Sequence, residues 1–447
     1  MKHRASLASG LVAVTAVLLS TAAYAQIPAL DDPLIKSVSP VEAQQGQHVL
    51  ITGVNFGSAP EVRFNGTLAG VVSYVPAIGR LVVTVPSGAS SGPLTVTNPD
   101  TTETSNTADF VVFPGTFTPV CTMSGNVTDP SAVPLANAAV VAFDVDTNRF
   151  LGFDFTDASG NYSIGTDSTG THRLGFLPPT GTTYHQLFVQ GTCPGTQNHQ
   201  FAVGLELTGR VVSDVPAPVR NAVVYAIGSS DLGVDALTDA AGIFSMRLPP
   251  DVYDLIVEGP VGGRHICLEA ESIGVTLDTD LGDVTMETGA IVSGSLNFQD
   301  GADTGPLMEA WIVEFGFWGA WAGCARSIVD GSFHLAAPIG PGSLFISGED
   351  YGYLGLSVWY LDVSGDVELD YPFTAYSSAA QLPTTPVITE APSIAVQAGQ
   401  RVVFDVAGLR GTTVSIRFAA NGGGSVVGVD TYAEMDRGGV VTTVPAT

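Results

Sequence analysis

The residues of this 447-residue chain whose types and spacing could do chemistry are few. Gly88-Ala89-Ser90-Ser91-Gly92 has the G-x-S-x-G form of a hydrolase nucleophile elbow. That elbow needs a strand running into a helix, so that the serine hydroxyl stands exposed at the turn. Here LVVTV and PLTVT flank the string, so a hairpin is expected and Ser90 is not taken as a nucleophile. His48, His172, His185, His199, His265 and His334 follow no metal-ligand spacing, and ordinary packed or solvated imidazoles are expected. Asp144, Asp146 and Asn148 imitate the opening of a calcium loop, but Arg149 stands where its glycine belongs and Phe155 where its bidentate acid belongs. Asp278, Asp280 and Asp283 form a second acidic run, read as a solvated turn. Calcium is thus the one cofactor left open, and no catalytic, cofactor-binding or metal-ligating residue is assigned.

Two further sets carry chemistry of a different kind. Cys121, Cys193, Cys267 and Cys324 contain no C-x-x-C pair, which disfavours zinc; four cysteines allow three disulfide pairings, of which Cys121 with Cys193 and Cys267 with Cys324 is the expected one. All four tryptophans, Trp311, Trp318, Trp321 and Trp359, lie in one stretch with Tyr351 and Tyr353. Flat rings stack on sugar faces, so an exposed cluster would suit a glycan, whereas a buried one would fill a core.

The elements that must position these residues are strands. With 52 glycines, 28 prolines and 13% charged residues, the composition favours many turns between short strands. Three segments repeat. MSGNVTD, LTGRVVSD and VSGSLNF place Gly125, Gly209 and Gly294 at intervals of 84 and 85 residues. NAAVVAFD, NAVVYAIG and EAWIVEFG follow, each reading as a strand with one buried face. Then TDASGNYSI, TDAAGIFSM and, more loosely, VDGSFHL combine a capping Asp, a turn Gly and an aromatic (Tyr162, Phe244, Phe333) able to drop inward and anchor the next strand. LPPTGTTYHQLFV and LPPDVYDLIVEG close the first two copies.

On these motifs the middle of the chain resembles the carboxypeptidase regulatory-like domain, a transthyretin-like sandwich of about seven strands that is itself non-catalytic. Some transthyretin-like surface domains carry a Lys-Asn isopeptide bond. No lysine follows Lys36, so the three repeats lack the amine that such a bond needs. Ahead of them, PLIKSVSPVEAQQGQHVLITGVNFG, VRFNG, LVVTVPSGASSGPLTVTNPD and DFVVF resemble the immunoglobulin-like IPT/TIG family, with Gly53, Gly57, Gly66, Gly92 and Pro93 at its turns. PVITEAPSIAVQAGQRVVFDVAGL, IRF and VTTVP resemble the same family again, with Gly399-Gln400 on Gly46-Gln47 and without its closing strands.

The expected architecture is therefore all-β: tandem immunoglobulin-like and transthyretin-like sandwiches, arranged as a semi-extended rod with small interfaces. The segments are 1–25 signal peptide, 33–113 IPT/TIG, 119–205, 206–288 and 289–372 for the three repeats, 373–385 linker, and 386–447 an incomplete second IPT/TIG-like unit. Lys2, His3 and Arg4, the apolar run Leu11 to Leu19 and Ala23-Tyr24-Ala25 read as an export leader. The chain is then expected to be secreted, periplasmic or on the cell surface, with no integral span after cleavage. Loss of Lys2 and Arg4 takes the formal charge from −27 to −29, which repels nucleic acid. The expected function is a non-enzymatic structural or interaction protein, a spacer or adhesin-like stalk that meets a protein or polysaccharide. The alternatives are carbohydrate binding through the aromatics of the third repeat, 289–372, or an accessory part of a secreted polysaccharide-degrading system.

Overall fold

The computed structural model describes residues 29–446 except for 147, 230–232, 299–308, 315–320, 327, 348–355, 369–372, 376–386, 391–400, 408–412, 420–425, 433–436 and 444–446, and the final residue is likewise outside it. The expected leader, 1–25, lies outside the described residues. The architecture is all-β, ten sheets with a single 3₁₀ turn at Pro76–Ile78 among the described residues.

Two sheets form the first sandwich. One runs Leu34–Ser39, His48–Val54, Arg80–Thr84, Gly70–Val75 in spatial order; the other runs Glu42–Gln45, Ala108–Thr116, Gly92–Thr97, Glu61–Phe64, Thr67–Leu68. Alternation along each strand sends Val49, Ile51, Leu81, Val83, Leu94 and Val96 into a shared core with Phe56, Phe64 and Phe110. Gly53 is required by its neighbours: a Cβ there would sit 2.2 Å from the Leu34 carbonyl oxygen and 2.3 Å from Cζ of the Phe56 ring.

The next three sandwiches share one topology. In each, the fourth, first and seventh strands make one sheet, with the seventh parallel to the first, and the third, second, fifth and sixth make the other. In the second sandwich these are Asn161–Thr166, Cys121–Thr128 and the short pair Gly195–Thr196 and His199–Gln200, against Phe150–Phe155, Ala139–Asp144, Gly170–Leu177 and Leu187–Cys193. The third has Ile243–Leu248, Leu205–Ser213 and Thr279–Met286 against Gly233–Leu237, Val223–Gly228, Asp251–Glu258 and Leu268–Val275. The fourth has Ser332–Ala337, Ala290–Phe298 and the pair Val367–Glu368 and Phe373–Ala375 against Trp321–Arg326, Glu309–Glu314, Gly340–Ser347 and Leu356–Val363.

The repeated hairpin owes its shape to its capping acid. Asp157 accepts from the backbone N–H of Ser159 and Asn161 at 2.8 Å each, and Asp239 does the same for Ala241 and Ile243. Gly160 and Gly242 both take φ +77°, where a side chain would be strained. The preceding threonines are buried latches: Thr238 Oγ1 accepts from Ala222 N–H at 2.9 Å and donates to the Val219 carbonyl at 2.7 Å, and Thr156 binds Ala138 and Leu135 likewise. In the fourth sandwich the turn closes between Ile328 and Ser332 instead. Ile328 therefore occupies the place of Asp157, while Asp330 sits two positions later and caps Ser332 alone. Tyr162, Phe244 and Phe333 are all buried.

The tail repeats the first sandwich's pairing. Leu34 faces Val54 and His48 faces Thr84; at the aligned positions Val387 faces Ala407 and Arg401 faces Thr443. Thr413–Ala419 and Val426–Tyr432 form a separate hairpin.

Two expectations are corrected by the packing. NAAVVAFD does not have one buried face: Val140 and Ala142 enter the second sandwich's own core, while Ala139, Val141 and Phe143 pack with Phe150 and Phe153 against Leu50, Val72 and Val82 of the first sandwich. Both faces of the sheet are therefore apolar, as in sheets covered on two sides. Nor are the sandwiches strung as a rod. The second docks on the outer face of the first sandwich's four-stranded sheet, and the third and fourth also reach the first, with Ile328 against Leu34 and Val54 beside Leu237 and Val261.

Candidate functional site

One polar constellation joins three sandwiches. Lys36 leaves the first sandwich from Leu34–Ser39 toward Asp235 and Glu258 of the third and Arg326 of the fourth. Burial holds its ammonium below the ordinary lysine range; Glu258 pulls it back up, Arg326 lowers it further and Asp235 raises it. Arg80 of the first sandwich pairs with Asp235 at 2.8 Å, and the Arg326 guanidinium lies 4.5 Å from the centre of the Tyr225 ring. Tyr225 donates to Glu258, itself buried, over a long 3.4 Å. Beside this cluster is a small cleft lined by Asp32, Lys36, Asn55, Asn221 and Val261. Its rim is tied by Arg220, which pairs with Asp31 and donates to Asn55 Oδ1 at 2.8 Å.

Charges of both signs are thus brought together from segments far apart in sequence. Opposite charges at this spacing in a partly dry interface offset part of one another's desolvation. Sequence reasoning used Lys36 only to exclude a crosslink. Nothing local in the chain pointed to Arg80 and Asp235, which lie 155 positions apart.

A second polar tie joins the first and second sandwiches. Arg149 grips both oxygens of Asp167 at 2.7 and 2.8 Å, and this pairing holds its guanidinium above its ordinary range. Gln47 of the first sandwich donates to the same carboxylate at 3.3 Å, and Ser39 Oγ accepts from Phe150 N–H at 2.8 Å.

The residues singled out from sequence are mostly dispersed. Ser90 does not sit on the expected hairpin: Arg80–Thr84 and Gly92–Thr97 belong to opposite sheets of the sandwich, and Ser90 lies on the connection that crosses between them, its Oγ accepting from Asn65 at 2.9 Å. The histidines fall in four different sandwiches. His48 meets Phe153 edge to face, and His199 stacks on Phe176 at 4.5 Å, where burial pushes its pKa down to about 4. The Asn148 side-chain oxygen is taken by Arg173, and Asp146 N–H is bound by Asp144. Asp278 caps Glu206, Asp280 caps Gly282 and Asp283 pairs with Arg210, three separate engagements. Among the described residues no group of three or more His, Cys, Asp or Glu is placed to hold a metal ion.

Cys121 is bonded to Cys193 and Cys267 to Cys324. The first bridge closes the second sandwich's core; the second spans the third and fourth sandwiches. Of the aromatic candidates, Trp318, Tyr351 and Tyr353 lie outside the described residues, as do the side chains of Trp311, Trp321 and Trp359. By backbone register Trp311 pairs with Cys324 and Phe345, and Trp359 pairs with Leu344.

Comparison with known families places an IPT/TIG domain at residues 33–112. A search of curated proteins returns no match. Among solved structures, the Bacillus anthracis TIE protein is 13% identical, with 77% of this chain and 74% of that one covered and a TM-score of 0.18. The shaft pilin SpaA from Lactobacillus rhamnosus GG is 7% identical, with 38% and 98% covered and a TM-score of 0.19. The gamma-CGTase from alkalophilic Bacillus clarkii is 21% identical, with 38% and 28% covered and a TM-score of 0.18. Scores this low establish no shared arrangement. The chain is a multidomain β-sandwich protein with an N-terminal IPT/TIG domain, and among its described residues no helix is long and apolar enough to cross a membrane.

Proposed function

We propose that this chain is an exported, non-catalytic structural or interaction protein that acts as a fixed block of sandwiches at or beyond the cell surface. The observation that supports this best is the convergence of the second, third and fourth sandwiches on the first, through an apolar sheet-to-sheet layer and the charge cluster around Lys36. Interfaces of this kind hold neighbouring loops in constant relation, which suits a binding surface shared by several modules. A long spacer would need the modules drawn out in line, so display by a compact body is favoured over a stalk. The three repeats are read as carboxypeptidase regulatory-like sandwiches and the tail as a second IPT/TIG-like unit.

Two measurements test this. Fractionation of the native host should place the protein outside the cytoplasm, with Gln26 as its first residue; cytoplasmic protein that retains Met1 overturns export. Small-angle scattering should return a maximum dimension well short of five sandwiches end to end. An end-to-end profile overturns the compact body and restores the stalk.

A further inference from the structure

The two disulfides sit in opposite surroundings. Cys121 and Cys193 are 5% and 3% exposed and belong to one core, packed with Met123 and Leu174. Cys267 and Cys324 are both only half-buried. Cys267 directly precedes the third sandwich's edge strand Leu268–Val275, and Cys324 lies in the fourth sandwich's edge strand Trp321–Arg326. One bridge is therefore shut inside a module and the other is a tie between two modules, with its sulfurs at the border.

We propose that the Cys267–Cys324 bridge is a reducible latch, a site of thiol–disulfide exchange for a dithiol reductant, whose opening loosens the fourth sandwich from the third. A thiolate of the reductant attacks one sulfur, forms a mixed disulfide there and expels the other cysteine as a thiolate, which takes up a proton. The reductant's second thiol then attacks the mixed disulfide, frees the remaining cysteine and leaves the reductant as an intramolecular disulfide. Two electrons and two protons pass from the dithiol to the pair. Exchange needs access to a sulfur, and the half-buried bridge is the more open of the two.

What remains after reduction explains why the bridge acts as a latch. The third and fourth sandwiches are otherwise joined by Arg264, which grips Asp366 at 2.7 and 2.6 Å with both side chains about half exposed (53% and 51%). Exposed pairs of this kind contribute little and weaken with salt. The same junction also holds a backbone bond from Gly289 N–H to the Arg264 carbonyl at 2.8 Å, the Arg326 contact with Tyr225, and Ile328 packed beside Leu237 and Val261. The covalent tie thus stands beside an exposed ion pair that salt screens and one small apolar contact, so its opening is expected to loosen the junction.

The test uses the full native chain, dithiothreitol in graded amounts, rapid alkylation and mass spectrometry, followed by hydrogen exchange on the partly reduced protein. Cys267 and Cys324 should be labelled about tenfold sooner than Cys121 and Cys193. In that intermediate, exchange should rise in Ser332–Ala337 and at 288–291, more so at high salt, with the first and second sandwiches unchanged. Cys324→Ser should show the same pattern without reductant. Simultaneous reduction of both bridges, earlier reduction of the core bridge, or exchange identical to the oxidised protein would overturn the latch.

Discussion

The ring of Phe244 lies over Gly209, its partner on the adjacent strand: a Cβ on Gly209 would sit 2.8 Å from the ring's Cε1 and Cζ. The same pairing recurs as Gly125 with Tyr162 and Gly294 with Phe333. A glycine leaves the pleat open, and the aromatic covers it while reaching the core. The three repeats thus share one cross-strand pairing of glycine with aromatic.

Gly209→Ala should therefore destabilise the third sandwich by about 1–3 kcal/mol, because the methyl group displaces a packed ring. Urea unfolding followed by the loss of protease resistance of residues 205–288 checks this. An unchanged midpoint would show that the ring can move aside.

Thr238→Val keeps the shape of a buried side chain but removes the hydroxyl that bridges Ala222 N–H and the Val219 carbonyl. Leaving those groups without that partner should cost about 1–3 kcal/mol. Thr238→Ser, which keeps the oxygen, should recover most of the loss in the same thermal melt. A Thr238→Val melt equal to that of the parent would show that the hydroxyl contributes nothing to stability.

The half-buried His199 sets a pH dependence. Its pKa falls from 6.5 to about 4 because burial disfavours the charged ring. The unfolded chain then binds a proton that the folded chain refuses, so stability drops as pH falls from about 6.5 toward about 4 and levels off below. Melting the protein across that window should show the decline, and His199→Phe should flatten part of it. A slope unchanged in the variant would assign the effect elsewhere.

Val82 faces the second sandwich from the outer side of the first sandwich's sheet. Val82→Asp would bury an unpaired carboxylate, so the two sandwiches should separate while each keeps its own core. Scattering should show a larger maximum dimension with unchanged circular dichroism. A profile equal to that of the parent would mean the interface tolerates the charge.

Much of the fold was legible because it rests on local rules. The alternation in Val49 to Ile51 and Leu81 to Val83, the Asp-Gly reversals at Asp157 and Asp239, and the spacing of Gly125, Gly209 and Gly294 each report which way a side chain points or where a chain must turn. In the fourth sandwich the same reading slipped. Asp330 looks like the capping acid in sequence, but backbone pairing gives that place to Ile328. A short-range motif cannot reveal a two-residue shift in a turn.

The amino-acid sequence on its own settled the all-β class, the repeats and the inward aromatics, since strand periodicity and turn chemistry act over a few residues. Only the tertiary structure decided how the sandwiches meet. The second face of Ala139–Asp144, the pairing of Arg80 with Asp235 and the approach of Lys36 to Glu258 depend on surfaces that come together after each module has folded. Long-range packing of preformed faces leaves no periodic trace in the chain, because the residues that meet share neither a strand nor a turn.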